Sequence, residues 1–64
     1  MDIPTLIFEY ESGQLSDERS LELFAELIEN GMAWTLQGSY GRMATKLIAN
    51  GYISRQGKIL KRFR

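Results

Sequence analysis

Between Leu21 and Ile28 the apolar residues Leu21, Phe24, Ala25, Leu27 and Ile28 recur at helical spacing, while Glu22, Glu26 and Glu29 fall largely on the other side. Such a stripe predicts an amphipathic helix packed along one face. Ser16 is a suitable N-cap, and Asp17 and Glu18 place carboxylates at the positive end of the helix dipole. A helix over 17–29 follows. A second stripe, Met43, Ala44, Leu47 and Ile48, predicts a helix over about 39–49 with Ser39 as cap and Arg42, Thr45, Lys46 and Ala49 outward. Gly41 inside its first turn costs about 1 kcal/mol against alanine. A close neighbour is therefore expected there, most simply the ring of Trp34 or another helix. Upstream, Leu6, Ile7 and Tyr10 suit a short helix over about 4–12, opened by Pro4 and ended by Ser12-Gly13. The alternation Leu6, Phe8, Tyr10 would also suit a strand; the helix is the favoured assignment.

Two stretches nearly repeat: "LIENGMA" at 27–33 and "LIANGYI" at 47–53. In each, a glycine one residue past an asparagine cap can take the left-handed conformation at little steric cost. Met32 and Tyr52 are then placed to fold back towards Leu27 and Leu47, the apolar contact that accompanies this helix ending. The flanking residues do not match, so the repeat is one way of ending a helix used twice, not a duplicated site.

After Gly51 the period changes. Tyr52, Ile53, Ile59, Leu60 and Phe63 surround a Gln56-Gly57 turn, which predicts a two-stranded hairpin or a tail over 52–64. The expected fold is mainly α: one small three-helix domain over 1–64 with a C-terminal basic β-hairpin or tail.

Charge changes the picture most. The formal net charge is zero, yet all eight acids lie within residues 1–29 and seven of the eight bases lie within 30–64. Such asymmetry points to interaction surfaces. Composition adds exclusions. With 64 residues, 44% hydrophobic and 25% charged, the chain is that of one folded domain with a thin stability margin. It has neither Cys nor His, which rules out disulfides, the usual zinc ligands, and nucleophilic catalysis by Cys or a Ser–His pair. The carboxylates sit on a polar helix face, and "QGSYGRMATK" lacks the spacing of a phosphate-cradling loop. Neither enzymatic activity, a cofactor nor a small-molecule substrate is expected. No apolar run reaches the roughly 18 residues of a membrane span, and the N-terminus lacks the basic start of a signal peptide. A cytoplasmic protein is expected.

Residues 7–51 resemble a family of very short proteins encoded mainly by tailed bacteriophages. The resemblance rests on Phe8, Glu9, Gly13 and Leu15, followed by W-x-L-Q-G-x-Y-G-R-x-A-x-x-L-I-x-x-G. Trp34, Leu36, Gln37, Gly38, Tyr40, Gly41, Arg42, Ala44, Leu47, Ile48 and Gly51 carry this signature. It implies a viral source and a host-cell cytoplasm, and brings no activity with it. The same residues have a structural role to fill. Trp34, Leu36 and Tyr40 are expected in the core between the second and third helices. Gln37 and Arg42 are the better contact residues, although Arg42 suits an ion pair with the acidic helix equally well.

Two functions follow as expectations. The first is a non-enzymatic accessory protein that binds a host factor or itself through Gln37, Tyr40, Arg42 and Lys46, with the acidic helix as a second surface. The alternative is a small winged-helix-like DNA binder using Arg42, Lys46, Arg55, Lys58, Lys61 and Arg62, since basic residues beside aromatics suit a phosphate backbone. A minor structural protein of the virion is a third.

Overall fold

The computed structural model describes residues 2–62. Its order is α1 (Ile3–Glu11), α2 (Asp17–Glu29), a single 3-10 turn (Met32–Trp34) and α3 (Gly38–Ala49). Among the described residues there is no strand, so the fold is small and all-α. None of these helices is long and apolar enough to cross a membrane.

The sequence places α2 to the residue. Ser16 takes an extended conformation and its hydroxyl accepts the backbone N–H of Arg19, while Asp17 and Glu18 fill the first turn. α3 begins one residue earlier than expected. Gln37, not Ser39, is its N-cap, with extended backbone (ψ 154°) and no side-chain capping bond. Asp2 is the N-cap of α1, and its carboxylate accepts a hydrogen bond from the Thr5 hydroxyl, with Pro4 in the first turn.

Both copies of the repeated stretch end a helix with a left-handed glycine, Gly31 at φ 82° and Gly51 at φ 79°. Their closing bonds differ. After α3 the Tyr52 N–H reaches back to the Leu47 carbonyl at 2.9 Å, completing a Schellman ending. After α2 the equivalent N–H, of Met32, goes instead to the Asn30 side-chain oxygen at 2.9 Å. That diversion releases the chain into the 3-10 turn.

The core is centred on α2, where Leu21, Leu23, Phe24, Ala25, Leu27 and Ile28 are all buried. Leu23, fully buried, lies outside the single expected stripe. With it the buried arc covers roughly 200° of the helix, because α2 is packed by α1, by the 3-10 turn and by the C-terminal loop. Three rings tie the helices together: Tyr10 of α1 meets Phe24 of α2 edge-on at 5.3 Å, and Tyr40 of α3 stacks on Phe24 at 5.8 Å. The Tyr40 hydroxyl donates to Glu11 Oε2 at 2.6 Å, joining α3 to the end of α1.

Of the hairpin or tail expected over 52–64, a two-stranded hairpin is not seen among the described residues. Among the described residues one antiparallel bridge, Ile53 to Ile59, is flanked by the Ser54 N–H to the Lys58 carbonyl and the Leu60 N–H to the Tyr52 carbonyl, both at 2.7 Å. It closes a tight loop in which the Ser54 hydroxyl accepts the N–H groups of Gln56 and Lys58. The loop is held by α2 rather than by a second strand. Ile53 is fully buried, and Gly57 sits so close to the Ala25–Glu29 turn that a Cβ there would lie 2.6 Å from the Glu29 nitrogen. A lone hairpin of this size is marginal in water, whereas docking on a helix buries Ile53. Beyond the bridge the chain runs back along α2, where the Arg62 guanidinium pairs with Glu18 and Glu22. The basic end thus neutralises part of the chain's own acidic helix. Phe63 and Arg64, expected in the hairpin and its basic cluster, lie outside the described residues.

Candidate functional site

Three-residue turns direct few side chains inward, and in the 3-10 segment the inward position goes to Ala33, which is fully buried. Trp34 is thereby turned out. It is 52% exposed, a correction to the expected core position; Leu36 packs partly buried against the core and Tyr40 is buried in it. The indole lies on the side of α3 formed by Gly38, Gly41, Thr45 and Ile48. A Cβ at Gly41 would stand 3.8 Å from the ring. The close neighbours at Gly41 are the Ala33 carbonyl oxygen, 3.6 Å from such a Cβ, and then the Trp34 ring, both at ordinary contact distance.

That distance leaves room for a methyl group. Gly41→Ala is therefore expected to stabilise the fold by up to about 1 kcal/mol through helix propensity. Urea unfolding of the two proteins measures the difference, and a loss of stability would mean that the indole cannot yield.

Two hollows flank the indole. One, of about 460 Å³, is lined by Trp34, Gly38, Gly41, Arg42 and Thr45. The other, of about 300 Å³, is lined by Trp34, Thr45, Ile48 and Arg55. An aromatic plate thus stands between two guanidinium groups on a floor of small residues. Arg42 folds back along α3 so that one of its guanidinium nitrogens would lie 3.3 Å from a Cβ at Gly38. Among the described residues neither Arg42 nor Arg55 makes an ion pair. The pairing of Arg42 with the acidic helix does not occur.

Of the residues expected to meet a partner, Gln37, Arg42 and Lys46 are exposed, Lys46 one turn beyond Arg42. Tyr40 is only 4% exposed, and its hydroxyl is taken by Glu11. Burial, then the hydrogen bond and negative charge of Glu11, push its phenol well above the ordinary value near 10. Because the folded form holds the proton more tightly than the unfolded chain, this stabilisation is complete below about pH 10 and is lost as pH rises beyond it. Tyr40→Phe should flatten that part of the alkaline decline in stability. An identical decline in the variant would show that Tyr40 does not contribute.

The basic residues considered for DNA are dispersed. Arg42 and Arg55 share the side of Trp34, and Lys46 is exposed one turn beyond Arg42, whereas Lys58 lines a different hollow with Glu29, Ser54, Gln56 and Gly57. Lys61 lies over the Tyr52 ring at 4.7 Å, and Arg62 is engaged by two glutamates. The convergence of Arg55 on Trp34 has no signal in the sequence, since the two are joined only by the path of the chain after α3.

The architecture defines a small all-helical domain with an exposed aromatic face. The chain belongs to the family described as Domain of unknown function (DUF7417), which matches residues 1–63. No curated protein and no solved structure matches it.

Proposed function

We propose that this is a non-enzymatic protein-binding domain whose partner docks on Trp34 between Arg42 and Arg55, with Gln37 and Lys46 at the rim. The observation that carries this is the half-exposed Trp34 flanked by guanidinium groups without ion pairs. Trp and Arg are the residue types that dominate interface energetics, and leaving an indole half in water is unfavourable without a use for it. The unpaired cations favour a partner with an acidic surface. The partner is a host-cell protein or a second copy, and the signature around Trp34 supports a bacteriophage accessory protein working in the host cytoplasm.

The test pairs capture of host proteins from bacterial extract with sedimentation of the pure protein. A specific partner or a dimer should form with the native chain and weaken at least about tenfold in Trp34→Ala. Equal binding by the variant, or neither partner nor dimer, would overturn the proposal.

A second proposal is DNA binding, favoured by the free charges of Arg42, Lys46, Arg55 and Lys58. Titration of duplex DNA at two salt concentrations separates it from the first. DNA binding requires affinity to fall with a log–log slope of about −0.9 per phosphate contacted.

A further inference from the structure

On the opposite side of α3 from Trp34, a cleft of about 130 Å³ opens between the three helices. By helical periodicity Met43 and Leu47, which line it, lie across α3 from Gly41 and Thr45. Its walls are apolar: Leu21, Phe24 and Leu47 are buried, and Tyr10 and Met43 are half-buried. The remaining lining residues are polar, Asp17 and Ser20, both in the first turns of α2. We infer that this cleft is a socket for one lysine side chain presented by a protein partner.

The chemistry fits in three respects. A cavity of ~150 Å³ takes benzene, so this one accommodates an unbranched four-carbon stem. Lysine buries such a stem against apolar surface while keeping its ammonium at a polar edge, here the exposed carboxylate of Asp17. That carboxylate makes no ion pair among the described residues: Arg19 is engaged by Glu22, and Arg62 by Glu18 and Glu22. Arginine fits less well, because its planar fork seeks two acceptor oxygens in a wider mouth. The helix dipole accounts for an acid at the start of α2, but not for the apolar cleft beneath it.

A free amine of this size makes too few contacts to bind more than weakly. A side chain carried on a peptide also gains the contacts that its flanking residues make around the cleft. This socket is independent of the Trp34 face and stands or falls separately from it.

The probe is n-butylammonium, titrated into the ¹⁵N-labelled full chain beside 1-butanol at matched ionic strength, followed by a short peptide with one central lysine. Saturable shifts are expected at Tyr10, Ser20 and Met43, with butanol at least about tenfold weaker and the lysine peptide tighter than butylammonium. Asp17→Asn should bring butylammonium to the level of butanol, and Met43→Phe should fill the cleft and remove both. Circular dichroism checks that both variants are folded. Equal binding of butanol would remove the role of charge. Shifts confined to Glu22, Glu26 and Glu29 would mean mere counter-ion attraction, and no saturation by about 100 mM would remove the site. A peptide no tighter than butylammonium would overturn the protein source of the lysine.

Discussion

Gly57→Ala should be the most damaging one-carbon change in the described chain, removing about 3 kcal/mol of stability. Two costs combine. At φ 90° an L-residue is disfavoured by roughly 1–2 kcal/mol. The added Cβ would also stand 2.6 Å from the Glu29 nitrogen and 2.7 Å from the Ala25 carbonyl oxygen. Both are backbone atoms inside α2 and cannot swing away as a side-chain tip can, so the loop must lift. Lifting it uncovers Ile53, whose burial alone is worth about 1.5–3 kcal/mol. A domain of this length has only about 3–10 kcal/mol in total, so this one methyl group removes about a third of its stability or more. Gly41→Ala adds the same methyl group to α3 and is expected to have the opposite sign. Denaturant titrations of the two variants together make the comparison; a loss below about 0.5 kcal/mol at Gly57 would show that the loop does not bear on α2 as described.

Phe24→Ala should cost still more, about 3–5 kcal/mol, because a fully buried ring is lost and a cavity remains. The site has little capacity to collapse. Phe24 is held between Tyr10 and Tyr40, which come from different helices, and each aromatic pair adds about 0.5–1.5 kcal/mol beyond area. At about 4–8 °C per kcal/mol for a domain of this size, the melting temperature should fall by at least about 12 °C. Thermal melts followed by far-ultraviolet circular dichroism would settle it. A shift of under about 5 °C would mean that the three rings are not the joint between the helices.

The parts of this fold that can be read from the sequence are those where local and long-range forces agree. At α2 the cap, the first-turn acids, the stripe and the terminal Asn-Gly all mark the same boundaries, so the element is fixed without knowledge of its neighbours. Leu23 was not legible because one-stripe periodicity assumes one packing surface, and α2 has three. Trp34 was misplaced for a different reason. Its size argues for burial, but a 3-10 turn gives the inward position to Ala33. In the C-terminal segment the pairing of Ile53 with Ile59 is real, yet among the described residues it extends no further, and Gly57 is seated against the Ala25–Glu29 turn of α2. Arg42 and Lys46 were legible as surface residues from helical spacing, and Gln37 as a polar residue beside a glycine. The approach of Arg55 to the indole and the reach of Arg62 to Glu18 depend on how the chain turns after Gly51, and no local pattern records that.

The outward turn of Trp34 also sets what light can report about this molecule. It is the chain's single tryptophan, and it already stands half in water in the folded state. Its emission should therefore shift little when the core melts, because its surroundings are polar before and after. Covering the indole with another surface would move it into an apolar setting and shift the emission to the blue. The native chain thus carries its own fluorophore for occupancy of that face and is nearly blind, at the same wavelength, to its own unfolding.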